Sequence, residues 1–247
     1  MRYIALLLAG IAVLVAACGD DGDAPTGVPL LADAENATVE ELYGALSDSL
    51  AARSGVLHMV TEGSSEAGLR VDYRSDTWVF PVDELARTET SGQLSGELGG
   101  DAVEERSYLF RTVVADGIRF DDSENNPSSL EFMGCFGGSS VASQLLGCPG
   151  PLEDLTKTVE AGRYDGRSVA VLVTSGTSRG SDEITTFTTR LYLDPATLLP
   201  IASETSGTFD FGEIEPLSAQ ESYGHEWVSR GSLPDDFFDP SSIGVAE

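Results

Sequence analysis

Tyr108-Leu109-Phe110-Arg111-Thr112-Val113-Val114-Ala115-Asp116-Gly117-Ile118-Arg119-Phe120-Asp121 decides the fold class of this chain. Its first half is dominated by aromatic, aliphatic and β-branched residues, which suit a pleated, half-buried surface. Asp116-Gly117 supplies two residues that tolerate positive φ, as a two-residue hairpin loop requires. Ile118–Asp121 resumes the β pattern, so the stretch reads strand, turn, strand.

The same grammar extends in both directions. Upstream, Val56–Glu62, Leu69–Phe80 (LRVDYRSDTWVF) and the more polar Leu85–Leu94 are strand candidates. Downstream, Asp165-Gly166 is a second turn signal, followed by Ser168–Thr174 (SVAVLVT) and Ile184–Leu193 (ITTFTTRLYL). Asp194-Pro195 opens a tight connection that ends at Pro200, and Ile201–Phe211 and Ser218–Ser229 complete the strands. Between the two groups, residues 122–150 form a long insertion. Val141–Leu146 is predicted as a short helix, and so is Pro151–Ala161, with Leu152, Leu155 and Val159 on one side. The tail from Leu233 to Phe238 places Phe237-Phe238 just before Asp239-Pro240.

One long helix precedes the strands. Thr38-Val39-Glu40-Glu41 is a capping box, in which the Glu41 carboxylate reaches back to the cap. Val39, Leu42, Tyr43, Leu46 and Leu50 follow at helical spacing and make a single apolar stripe. Gly55 stands where such a helix stops, so the spacing predicts a helix over 38–53. One helix followed by many antiparallel strands, without internal repeats, predicts a single α+β domain over 38–247. A sheet this large must curl, close or be covered to protect its edges. The expected architecture is a large curved antiparallel sheet, a half-open β-barrel, covered by the N-terminal helix and short helices.

Residues 1–17 run from Met1-Arg2 into an uncharged apolar stretch that is short for a membrane span. The stretch ends in Val15-Ala16-Ala17-Cys18, which resembles the cleavage and lipidation motif of bacterial lipoproteins. The expected product begins at Cys18, carries its lipid there, and is held to a membrane by several acyl chains together. Residues 18–37, rich in Gly, Asp, Pro and Ala, read as a flexible acidic tether. The expected location is the outer face of the cell membrane, or the periplasmic side in an organism with two membranes.

With a net charge of −27, the chain repels phosphate backbones, so nucleic acid is not an expected partner. Hydrophobic residues make up 41%, enough for a substantial core. The cysteines other than Cys18 are Cys135 and Cys148, an even pair in an exported chain, expected as a disulfide closing a Gly- and Ser-rich loop.

The order of elements resembles the lipoprotein-carrier superfamily: LolA- and LolB-like carriers, RseB-like stress regulators, and LprG- and LppX-like lipid-binding lipoproteins. Three stretches carry the likeness: Val114–Phe120 with its Asp-Gly turn, Arg190–Pro200 with its Asp-Pro and Leu-Pro pairs, and the ending Leu233–Pro240. The likeness covers roughly residues 38–240. The 122–150 insertion and the acidic residues around Asp83–Thr90 depart from the family pattern. The resemblance implies a half barrel under a helical lid, with an apolar interior.

Alternation then nominates the lining of that interior: Leu42 and Leu46 from the helix, with Phe110, Val169, Val171, Val173, Phe187, Leu191 and Leu193 from strands. These residues suit a packed core and a ligand cavity equally, because the two differ only in volume. Catalytic patterns are lacking: His58 and His225 sit in strand contexts, and there is no HExxH, CxxC, nucleophile elbow or phosphate loop. No metal site, cofactor or enzymatic activity is expected. Two functions remain. One is a membrane-anchored carrier or chaperone for a lipid or other apolar ligand. The other is an envelope sensor or protein-interaction module on the same scaffold, with an envelope protein as partner.

Overall fold

The computed structural model describes residues 37–67, 69–98, 101–115, 118–122, 155–179, 184–210 and 214–244. The expected export signal, Cys18, nearly all of the expected tether, Asp116-Gly117, the expected helix Val141–Leu146 and the pair Cys135 and Cys148 lie outside the described residues.

Helix α1 spans Val39–Ala51, and its cap forms as the sequence implies. Thr38 Oγ1 accepts the Glu41 N–H at 3.2 Å, and the Glu41 carboxylate accepts the Thr38 N–H at 2.7 Å. The stripe buries Leu42, Tyr43, Leu46 and Leu50. Gly55 follows with φ 115°, a conformation that L side chains rarely adopt.

Ten strands follow: β1 (Val56–Ala67), β2 (Leu69–Phe80), β3 (Leu85–Leu98), β4 (Asp101–Ala115), β5 (Ile118–Asp121), β6 (Leu155–Tyr164), β7 (Arg167–Arg179), β8 (Ile184–Leu193), β9 (Pro200–Asp210) and β10 (Ile214–Val228). They form one sheet in the order β5-β4-β3-β2-β1-β10-β9-β8-β7-β6. Two five-stranded meanders therefore meet at β1 and β10, which pair antiparallel from Val56↔Val228 to Glu66↔Ser218. Ala115 pairs with Ile118 across the first hairpin, and Asp165-Gly166, at φ 47° and 76°, turns β6 into β7. That double positive φ is the type I′ geometry expected of Asp-Gly.

One expected helix is a strand. Leu155–Tyr164 pairs along its whole length with β7, from Leu155↔Gly176 to Tyr164↔Arg167. Leu155 and Val159 are four apart, a spacing that serves both a helical stripe and one face of a strand. Partial burial at every second residue from Leu155 to Val159 settles the period as two. The short helices of the expected cover are thus reduced, among the described residues, to two 3₁₀ turns, Arg230–Ser232 and Pro240–Ile243.

Curvature follows from how much of the inner face is buried beneath one helix. On the face that meets α1, Val114 of β4 is 6% exposed, and Ala170 and Leu172 of β7 are 2% exposed. In a flat sheet β4 and β7 would stand ~34 Å apart, given strands ~4.8 Å apart. A 13-residue helix is only ~20 Å long. The sheet must curl around α1 for both ends to be buried. It does not close, because β5 and β6 are opposite ends of the strand order.

The β8–β9 connection seals one end of this core. Asp194 accepts N–H bonds from Ala196 (2.8 Å) and Thr197 (2.9 Å), while Leu198 takes φ 59°. The turn sends both Leu198 and Leu199 into the cluster around α1. The C-terminal tail packs on the other face of the sheet. Phe237 meets Trp78 edge-on at 5.1 Å, and the Arg87 guanidinium donates to Phe237 O (2.7 Å) and Ser242 Oγ (2.8 Å).

Candidate functional site

Cross-strand register assigns every strand residue to the face that meets α1 or to its opposite. On β8, Leu191 and Leu193 face α1 with Phe187 in phase behind them; on β9, Ser203, Thr205 and Phe209 follow. On β10 the inner residues are Leu217, Ala219, Glu221, Tyr223, His225 and Trp227. β1, β2 and β3 continue this face with Thr61, Ser65, Tyr73, Ser75 and Thr90.

The inner face has two zones. Around α1 it is apolar and filled: Leu42, Leu46, Leu191 and Leu193 are 0–2% exposed. Farther along the strands the side chains become hydroxyls and small groups. Ser75 and Thr90 bond each other at 2.9 Å, as do Thr189 and Thr205. At the boundary lies Glu221, which is buried. Tyr73 donates to its Oε1, and Ser203 and Tyr223 donate to its Oε2. Burial pushes the Glu221 carboxyl above the usual range, against the three hydroxyls, which favour the carboxylate. The packing is close, since a Cβ on Gly63 would lie 3.0 Å from the Tyr73 ring. Two small aromatic clusters mark the far end: Val71, Tyr73 and Leu94 on one side, Phe187, Phe209 and Leu217 on the other.

Lys157 joins the inner face from β6. Its Nζ donates to the Tyr43 hydroxyl of α1 at 2.9 Å, and burial lowers its pKa to about 8. Under the same roof His225 is held down to about 4, chiefly by burial, and its Nδ1 and the Trp227 Nε1 lack hydrogen-bond partners among the described residues.

The nominated lining divides accordingly. Leu42, Leu46, Leu191 and Leu193 converge around α1, Phe110 shares the inner face on β4, and Phe187 belongs to the far-end cluster. Val169, Val171 and Val173 do not converge with them. Leu172 pairs with Leu191, so the three valines point to the opposite face, where they pack with Tyr164, Tyr192 and Ile201. The run is apolar at both parities because β7 is covered on both sides, and such a run carries no phase of its own. Glu221 escaped sequence reading because one acid among 41 Asp and Glu stands out only once its neighbours are known.

On the opposite face His58 stacks on Trp78 at 4.7 Å, with Asp76 (3.0 Å) and Glu226 (3.2 Å) at its two nitrogens. Among the described residues no group of three or more His, Cys, Asp or Glu could hold a metal ion, and no helix is long and apolar enough to cross a membrane.

No protein-family model and no curated protein matches the chain. Solved structures of a Guillardia theta protein and a Nitrosomonas europaea protein are among those that align with it. An S-type phycobiliprotein lyase of Guillardia theta is 10% identical, over 81% of this chain and 98% of that one, with a TM-score of 0.30. A protein of Nitrosomonas europaea assigned as AttH is 11% identical, over 72% of this chain and 52% of that one, with a TM-score of 0.26. At such scores neither bears on what this chain binds.

Proposed function

We propose that this chain is a lipid-anchored envelope protein that takes an acyl-bearing lipid, or a similar apolar ligand, into its curled sheet and acts as a carrier or chaperone. The observation that carries this reading is the graded inner face. It passes from leucines around α1, through the Tyr73–Glu221–Tyr223–Ser203 cluster, to hydroxyls and aromatic rings. A ligand with an apolar tail and a polar group matches that gradient. Each methylene moved out of water contributes ~0.8 kcal/mol, so part of one acyl chain supplies useful affinity. Binding is partition into the curl with movement of α1, without covalent chemistry. The export signal and Cys18 support placing this activity at a membrane surface.

The test is native mass spectrometry of the signal-deleted Cys18→Ser protein from a lipid-rich host. The proposal expects a discrete added mass that extracts into organic solvent and is identified as a lipid. The filled packing around Leu46 and Leu193 favours a second reading, an interaction module without cargo. A clean apo mass, with no uptake of a fluorescent fatty-acid probe, would select that reading instead.

A further inference from the structure

A groove of about 530 Å³ lies against β8, β9, β10, β1 and β2, remote from α1. Register shows which side chains form it. Thr188, Ser206, Ser218, Glu66 and Arg70 make one cross-strand row, and Arg190, Glu204, Gln220 and Ser64 make the next. Both rows lie on the face opposite α1, out of phase with Leu191, Ser203, Glu221 and Thr61. Ser65, Thr205 and Ala219 also border the groove but are in phase with the inner face, so the strands themselves separate the groove from it. Its volume is within the ~300–1,000 Å³ of ordinary small-molecule sites.

Small polar residues form the floor and charged pairs form the walls. Ser64, Ser206, Ser218 and Gln220 occupy the middle three strands. Arg190 and Glu204 rise at one side, Glu66 and Arg70 at the other. The arginines are already engaged. Arg70 forks onto Asp72 at 2.9 and 3.0 Å, and Arg190 reaches Glu160 at 3.4 Å. Tyr192 donates to Glu204 at 3.0 Å and pairs with the Tyr164 ring at 4.9 Å, which places an aromatic surface beside that wall. The side chains of Ser64, Thr188, Ser206, Ser218 and Gln220 make no hydrogen bond among the described residues, so four hydroxyls and a carboxamide remain to be used.

We propose that this groove is a binding site for a neutral saccharide. The two arginines face four carboxylates, Glu66 and Glu204 with their partners Asp72 and Glu160, in a chain whose net charge is −27. That excess of carboxylates gives no net pull on an anion, and Glu66 and Glu204 stand on opposite walls, too dispersed to hold a cation between them. Hydroxyl and amide groups, each able to donate and accept, complement a polyol. Strands repeat every ~4.8 Å, close to the length of one pyranose unit, so successive sugar units can meet successive strands. An extended peptide is disfavoured, because this is the face of paired strands and offers no free backbone edge.

Saturation-transfer NMR and calorimetry on the full chain, with cellotriose, maltotriose, laminaritriose and tri-N-acetylchitotriose as probes, test the proposal. Trigalacturonate and inorganic phosphate serve as anionic comparisons. At least one neutral trisaccharide is expected to bind at millimolar concentration or below. Ser206→Phe, which fills the floor from an exposed position, is expected to weaken that binding by about tenfold or more. Gln220→Ala, which removes a partner without adding bulk, should weaken it about threefold to tenfold. Both variants should unfold at the parental temperature and take up a fluorescent fatty acid as the parent does. Absence of binding to all four neutral probes overturns the proposal. So does preference for an anionic probe, or neutral binding that Ser206→Phe leaves intact.

Discussion

Removing the Tyr73 hydroxyl should cost more than removing the Tyr223 hydroxyl, although both bond the same buried carboxyl. Among the described residues, Tyr73 is the sole donor to Glu221 Oε1, whereas Oε2 receives both Ser203 and Tyr223. Tyr73→Phe thus leaves a buried oxygen unpaired, a cost of ~1–3 kcal/mol, while Tyr223→Phe leaves Oε2 a partner and should cost ~0.5–1.5 kcal/mol. For a domain of this size, ~2 kcal/mol corresponds to a loss of ~4–8 °C in Tm. The ring itself is retained in both variants, so packing over Gly63 changes little. A pH trend accompanies the difference. Glu221 titrates above the ordinary glutamate value, so its contribution to stability is full below that value and is lost as pH rises through the folded one. The Tyr73 bond opposes that rise, since it favours the charged form. Without it the folded value climbs further, so Tyr73→Phe should cost more at a pH where the parental Glu221 is charged than below the ordinary glutamate value. Urea unfolding followed by the fluorescence of Trp78 and Trp227 measures both variants, with an unchanged m-value as the control. A Tyr223→Phe cost equal to or above that of Tyr73→Phe would refute the assignment of donors.

Leu46 is 0% exposed at the centre of the α1 cluster, so Leu46→Ala should destabilise by ~2–5 kcal/mol in the same urea assay. Two glycine substitutions should move stability in opposite directions. Gly44 is exposed in mid-helix, with nothing within 4 Å of an added Cβ, and Gly44→Ala should stabilise by ~0.5–1 kcal/mol. On Gly207 a Cβ would stand 2.0 Å from the Thr186 carbonyl oxygen, and Gly207→Ala should lower Tm by more than Gly44→Ala raises it. His225, held down to about 4 by burial, binds its proton more readily in the unfolded chain. The native state therefore loses stability as pH falls from about 6.5 towards 4, and His225→Gln should flatten that part of the stability curve by no more than ~3 kcal/mol. An unflattened curve would place the imidazole in contact with water.

Local chemistry was sufficient for the elements that depend on neighbours in the chain. Thr38 and Glu41 start α1, its stripe reads correctly, and the bounds of β2, β5 and β8 follow from composition and turn residues alone. A capping box or an Asp-Gly turn is complete within a few residues, so its meaning travels with the sequence. What required the tertiary structure was whatever depends on register between distant strands. Leu155–Tyr164 is a strand because β7 lies beside it, and its Leu155–Val159 spacing fits either period. The three valines of β7 point away from α1 because Leu172 pairs with Leu191, and a shift of one residue would have reversed every side chain. Glu221 becomes distinctive only when β2, β9 and β10 curl Tyr73, Ser203 and Tyr223 onto it, bringing residues 148 apart in sequence into contact. The outer groove likewise draws on β8, β9, β10, β1 and β2, which become neighbours only because the first and last strands pair. Turns and caps are short-range, whereas face and burial are set by pairing across the whole chain.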